Sequence, residues 1–226
     1  ELEQTLEFRQ DLTRFLVHDM RNPLISIRLT CELGMMDGDE KSEESFGKVL
    51  EEVQTLQGYV DQMLIAASLE GSHFQLQRTE FSVGDLVAEW LRDGTRWCKA
   101  QIDLSDKSAG ALVWGDRELL RRVLDNLVSN AVKYGEGSPV EVHLESTSER
   151  VSLRVADQGP GIPDEDKVRV MRKLEIVPLR RGNLRQTGLG LYFCRLVAEA
   201  HGGTITVSDN SPRGAIFHLC LPVGRA

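Results

Sequence analysis

The sequence predicts an α+β chain: a helical hairpin, then a unit with helices laid on one face of a mixed sheet. Three observations lead there. Two apolar stripes at helical spacing precede residue 70, paired alternating stretches follow residue 139, and the charge balance changes between them. Residues 1–72 hold 6 basic and 15 acidic side chains; residues 73–226 hold 21 and 20, so net charge moves from −9 to +1. The shift coincides with Glu70-Gly71-Ser72, a linker signal, which divides the chain into residues 1–70 and 74–226.

At 226 residues the chain has room for one large or two small domains. A formal charge of −8 disfavours a general nucleic-acid partner. Hydrophobic residues at 41% exclude a disordered chain. No apolar run approaches the ~18 residues of a membrane span. The chain opens Glu1-Leu2-Glu3 without Met and reads as a fragment from which an anchor could have been cut. Cys31, Cys98, Cys194 and Cys220 form no C-x-x-C pair, so reduced, mostly buried thiols in a cytoplasmic setting are expected.

In the first segment Phe8, Leu12, Phe15, Leu16, Met20, Leu24, Ile27 and Cys31 step at three and four along one helix face. The stretch 34–39 breaks this helix. A second helix carries Phe46, Val49, Val53, Leu56, Val60, Met63 and Ala67, a heptad-like seam. One hairpin shields little apolar surface, so pairing into a four-helix bundle predicts a homodimer. His18 falls opposite the stripe and should face solvent, with Asn22 one turn along and Asp19 beside it. Pro23 should bend the helix locally. An exposed imidazole beside a carboxylate suits a phosphoryl acceptor, but taken alone a solvated surface histidine is the better reading.

The second segment alternates over part of residues 74–83, then turns helical over 84–98. A strong helix is expected at 116–134 with Asp116 as N-cap, and strands at 140–146 and 151–156. A helix at 188–200, closed by His201-Gly202-Gly203, and strands at 204–208 and 215–221 complete the pattern.

Three clusters there carry chemistry. Asn126, Asn130 and Lys133 share the polar face of the 116–134 helix, where amide oxygens and an ammonium suit hydrated Mg²⁺ and phosphates. A solvated polar face would look the same. Asp157-Gln158-Gly159-Pro160-Gly161 ends a strand in a carboxylate that can accept from an exocyclic amine such as adenine's. Ordinary turns share that pattern. Thr187-Gly188-Leu189-Gly190-Leu191 opens a helix whose exposed amides suit an anion. Before it, Lys167, Arg169, Arg172, Lys173, Arg180, Arg181 and Arg185 face one acid, Glu175, over 167–185. A lid over a polyphosphate or a solvated loop fits equally.

In order and spacing these motifs resemble the catalytic core of bacterial two-component sensor histidine kinases. His18-Asp19-Met20-Arg21-Asn22-Pro23 is similar to their H box and Asn126 to Tyr134 to their N box. Asp157 to Gly161 resembles the first glycine box, and Thr187 to Leu191 with its helix the second. The resemblance implies a dimerisation and phosphoacceptor hairpin followed by an ATP-binding α/β sandwich of the Bergerat (GHKL) type. It implies that His18 takes the γ-phosphoryl group of ATP, that Asp19 assists its deprotonation, and that Asn22 orients water in dephosphorylating a response regulator. Asn130 with Asn126 would hold Mg²⁺, Lys133 would contact phosphate, Tyr134 would flank the base and Asp157 would read the adenine amine. Thr187 and Leu189 belong to the same nucleotide site, and Gly159, Gly161, Gly188 and Gly190 would give the backbone room around the nucleotide. The implied setting is cytoplasmic, as a soluble kinase or as the cytoplasmic part of a larger membrane-anchored receptor. Its expected partners are a second copy and a receiver domain, with no nucleic acid.

Two features qualify the resemblance. Asn126 stands where related ATPases carry a Glu that activates water, so slow hydrolysis and transfer to an external nucleophile are expected. The family's Phe-containing box between the glycine boxes is absent, since residues 168–186 hold no Phe and Leu174 to Leu179 take its place. This keeps open a degenerate kinase acting as a dimeric scaffold with weak or no nucleotide binding. An ATPase or chaperone-like motor of the same nucleotide fold is a third reading.

Overall fold

A computed structural model describes residues 23, 25–27, 29, 30, 33, 41–70, 75–94, 101–172 and 189–224. Around the first stripe the described residues are helical; Pro23 is buried, and Thr30 Oγ1 donates to the Ser26 carbonyl at 2.8 Å. Most of that stripe, with His18, Asp19 and Asn22 and the break at 34–39, lies outside the described residues.

Helix α1 (Lys41–Glu70) contains the whole expected second helix and stops at the linker signal. On its seam Leu56 is buried, while Val49, Val53, Val60, Met63 and Ala67 are half-buried. A second apolar face was not anticipated: Ile65 and Leu69 pack against the core of the unit that follows.

That unit begins with β1 (Arg78–Ser82) and α2 (Val83–Gly94), where the Ser82 hydroxyl accepts from the Asp85 amide at 3.2 Å. Next come β2 (Ile102–Lys107), β3 (Leu112–Asp116) and α3 (Arg117–Tyr134). After β4 (Val140–Ser146) and β5 (Arg150–Ala156) stands a short helix, α4 (Asp164–Lys167), with a 3₁₀ turn at Arg169–Met171. Helix α5 (Leu189–Ala200), β6 (Thr204–Asp209) and β7 (Ala215–Pro222) finish the order.

The main sheet runs β2-β4-β5-β7-β6, antiparallel except for the parallel β2–β4 pair, while β1 and β3 form a separate two-stranded sheet. Its inner face presents Val140, Val142, Leu144, Val151, Leu153, Val155, Phe217 and Leu219 to the helices. The outer face is polar: Arg154 pairs with Glu145 at 2.7 Å, and Ser152 Oγ and His218 Nε2 lie 2.5 Å apart. Strands β2 and β3 leave little signal in the sequence: β2, Ile-Asp-Leu-Ser-Asp-Lys, is a polar edge strand with one neighbour among the described residues. β3 is short and pairs outside the main sheet. Cys194 is a free, fully buried thiol with its pKa pushed up by burial, and Cys220 is free and half-buried. Cys31 and Cys98 lie outside the described residues.

One joint positions the two helices that carry the motifs. Asp116 caps α3 by accepting from the Leu119 amide at 3.2 Å, and its other oxygen accepts from the Gln77 amide at 3.0 Å. Its own N–H donates to His201 Nε2 at 2.8 Å, while His201 Nδ1 donates to the Val197 carbonyl at 2.7 Å, one turn back in α5. These bonds require the neutral Nδ1–H tautomer. The ring fits because residue 115 is glycine: a Cβ there would stand 2.6 Å from His201 Cδ2.

Burial first, then the nearby Arg78 guanidinium, holds the His201 pKa below the usual histidine range, against the opposing pull of the Val197 bond and Asp116. The fold therefore binds fewer protons than the unfolded chain below about pH 6.5. The contribution of His201 is complete above that pH and is lost as pH falls through the folded value. His201→Ala is expected to cost about 1–3 kcal/mol at pH 7.5, because it leaves the Asp116 amide unpaired. It should also flatten part of the fall in urea midpoint between pH 7 and pH 5, which parallel denaturation curves would check.

Candidate active site

Helix α3 is the floor of the site. Leu120, Val123, Leu124, Leu127, Val128 and Ala131 are buried on one side, which turns Asn126, Asn130 and Lys133 to the other, as their spacing predicts. Asn126 and Asn130 are half-buried. Asn126 Nδ2 donates to the Arg122 carbonyl at 2.8 Å, so its amide oxygen points away from the helix axis. Lys133 is exposed, and its Nζ lies 5.4 Å from the centre of the Tyr134 ring. Partial burial of the ammonium lowers its pKa below the usual lysine range.

The first glycine box meets the end of this helix. Asp157 follows β5 directly and is 4% exposed. Its Oδ1 accepts from the Gly159 amide at 2.8 Å and from the Ala215 amide at 3.2 Å; Oδ2 takes part in neither bond. Burial raises the Asp157 pKa, and the two amide bonds oppose that rise. The space that Gly159 and Gly161 leave is filled by the protein itself. A Cβ on Gly159 would lie 2.5 Å from the Tyr134 carbonyl oxygen, and one on Gly161, whose φ is +75°, would lie 3.2 Å from the Gly214 carbonyl oxygen.

The second glycine box meets the same helix from the other side. A Cβ on Gly190 would stand 2.8 Å from Asn126 Oδ1, so the first turn of α5 rests on the N box. Leu189 is buried; Thr187 and Gly188 lie outside the described residues. Three motifs separated by up to 64 positions thus converge on α3, with Tyr134 against Gly159 and Asn126 against Gly190.

The basic stretch needs correction at its start. Lys167 bridges Asp164 at 2.6 Å and Asp209 at 2.7 Å, and Arg169 pairs with Asp166 at 2.9 Å. Counting acids only within 167–185 missed these partners, which lie just before the stretch and on β6. Lys167 and Arg169 thus each have carboxylate partners within reach. Lys173, Arg180, Arg181 and Arg185 lie outside the described residues.

Sequence reasoning also missed the residues around the exposed side of α3. Gln62 on α1 donates from Nε2 to Asn126 Oδ1 at 3.1 Å, and Asp61 lies 3.7 Å from Arg122. Trp90 on α2 donates its indole N–H to Asp125, whose pKa is raised by burial. No local spacing signals contacts between such distant positions.

The residues present fit a magnesium nucleotide. Half-buried carboxamides and a partly dehydrated ammonium share one face, suited to a hydrated cation and phosphates. Among the described residues a buried carboxylate keeps one oxygen outside its hydrogen bonds to backbone amides, suited to an exocyclic amine.

Comparisons with known proteins agree with this arrangement. Residues 8–72 match the family model of the His Kinase A (phospho-acceptor) domain. Residues 115–225 match that of the histidine kinase-, DNA gyrase B- and HSP90-like ATPases. The chain is 29% identical over 239 residues to the adaptive-response sensory kinase SasA of Gloeothece citriformis, covering 100% of this chain and 60% of that protein. It is 30% identical over 239 residues to SasA of Crocosphaera subtropica, covering 99% and 62%. The chain thus spans about three fifths of the length of these relatives. The Acinetobacter baumannii histidine kinase AdeS shares the fold with a TM-score of 0.70 and 24% identity, over 92% of this chain and 98% of that one. Full-length ShkA in complex with AMPPNP superposes with a TM-score of 0.64 at 25% identity, over 96% of this chain and 46% of that one. ThkA in complex with the response regulator TrrA has a TM-score of 0.72 at 24% identity, over 98% and 64%. With both family matches falling in the order of its motifs along the chain, the protein belongs to the sensor histidine kinases and constitutes their catalytic core.

Proposed function

We propose that this core binds Mg²⁺·ATP on α3 and transfers the γ-phosphoryl group to His18, from which an aspartate of a response regulator takes it. The observation that supports this best is the meeting of both glycine boxes on the N-box helix, through Gly159 and Gly190. The ShkA complex was formed with AMPPNP and the ThkA complex with a response regulator, and the same ligand classes are proposed here.

Asp157 accepts the adenine amine through Oδ2, while Oδ1 remains tied to the Gly159 and Ala215 amides. Tyr134 flanks the base, Lys133 contacts phosphate, and Asn130 holds the metal, with Asn126 beside it. Bound Mg²⁺ would neutralise charge that builds on the phosphate oxygens during transfer. Asn126 has no proton-accepting carboxylate, so water is left unactivated and the imidazole of His18 is the favoured acceptor. Asp19 takes part in deprotonating that ring, and Asn22 orients water in any reverse dephosphorylation of the regulator. We place the phosphoacceptor domain at residues 1–70 and the ATP-binding domain at 74–226. The hairpin forms a homodimer through the α1 seam, in a cytoplasmic setting.

Incubation with Mg²⁺ and γ-labelled ATP should give an acid-labile phosphoryl group that His18→Gln abolishes; equal labelling of that variant would remove His18 as acceptor. Asn130→Ala and Asp157→Asn should each weaken nucleotide binding at least about 10-fold, the scale of one lost charged or metal-linked contact. Calorimetry measures this, and absence of binding by the parent at millimolar Mg²⁺·ATP would favour the scaffold reading instead.

A further inference from the structure

We propose that Gln62 occupies the amide oxygen of Asn126 that Mg²⁺ would need, so that the point contact of α1 with α3 at Gln62 and binding of Mg²⁺-nucleotide oppose one another. This rests on the nucleotide reading above and adds to it a residue of the helical stalk.

The orientation of Asn126 is settled by its own helix. Its Nδ2 is spent on the Arg122 carbonyl at 2.8 Å, leaving Oδ1 as the group turned outward. Two neighbours enclose that oxygen. Gln62 Nε2 donates to it at 3.1 Å, and the Gly190 backbone comes so close that a Cβ there would lie 2.8 Å away. An N–H pointed at a carboxamide oxygen occupies the lone-pair region a cation would need and lowers the oxygen's donor strength. The contact is held in register one turn away, where Asp61 faces Arg122 at 3.7 Å. Both partners of that pair are largely exposed, so it aligns the helices more than it stabilises them.

A cleft of about 350 Å³ opens beside the contact, between α1 and α3. Asp61, Gln62, Asp125 and Ser129 line it, and Gly58, with no side chain, widens it. Asn126 also lines this space, and withdrawal of Gln62 would leave its Oδ1 open to it. Asp157, which reads the base, makes its described contacts with Gly159, Asn210 and Ala215 and none with α1. The opposition therefore concerns the metal and not the base.

The test is calorimetric titration of the whole chain with AMPPNP, in excess Mg²⁺ and separately in EDTA. Parent, Gln62→Leu, Gln62→Ala, Asn126→Ala and the Gln62→Leu/Asn126→Ala pair are compared. Removing the Gln62 donor should tighten binding in Mg²⁺ by about 2- to 10-fold, the range set by one net hydrogen bond. It should leave binding in EDTA unchanged and have no effect when Asn126 is already alanine. Equal affinities of parent and both Gln62 variants in Mg²⁺ would overturn the proposal, as would equal tightening in EDTA or an effect that persists without Asn126. No binding by the parent in either buffer would overturn the nucleotide reading itself, a distinct result.

Discussion

The arrangement of the site depends on a single neutral imidazole. Through its two nitrogens His201 joins the end of α5 to the residue that caps α3, and Asp116 carries the same joint to the chain before β1. The N box lies on one of these helices and the second glycine box at the head of the other. Their close contact at Gly190 and Asn126 requires that the far ends be pinned, because a small tilt at one end of a 12-residue helix becomes a larger displacement at the other. Stability and site geometry therefore meet in one buried hydrogen-bonded group.

Around that joint the chemistry follows from what each side chain can and cannot do. An asparagine at 126 offers an oxygen and two N–H groups but no proton-accepting carboxylate. A lysine at 133 has a partly dehydrated ammonium, its pKa lowered by burial. A buried aspartate at 157 is fixed by backbone amides on one oxygen only. Gly159 and Gly190 let protein approach protein: a Cβ at either would meet the Tyr134 carbonyl or the Asn126 side chain.

Much of this was legible in the residues. The α3 helix was evident from its apolar stripe and its N-cap, and Asp116 does accept from Leu119 as a cap should. The alternation that marked β4, β5 and β7 reflects one face on the core and one on solvent. Where that physics is absent the reading failed: β2 is a polar edge with little to bury, and β3 is too short to show a period. The site was legible as three motifs but not as an assembly, since Gly159 meeting Tyr134 is a tertiary fact. Gln62, Trp90 and Asp209 gave no signal at all, because their partners lie 64, 35 and 42 positions away.

Helix α1 carries apolar residues on two sides. Leu56, Val60, Met63 and Ala67 follow the seam, while Ile65 and Leu69 grip the neighbouring unit. A rod gripped near its end by a folded unit cannot turn about its long axis without shifting the footing of Ile65 and Leu69, so any rotation of α1 is felt in the core beneath it.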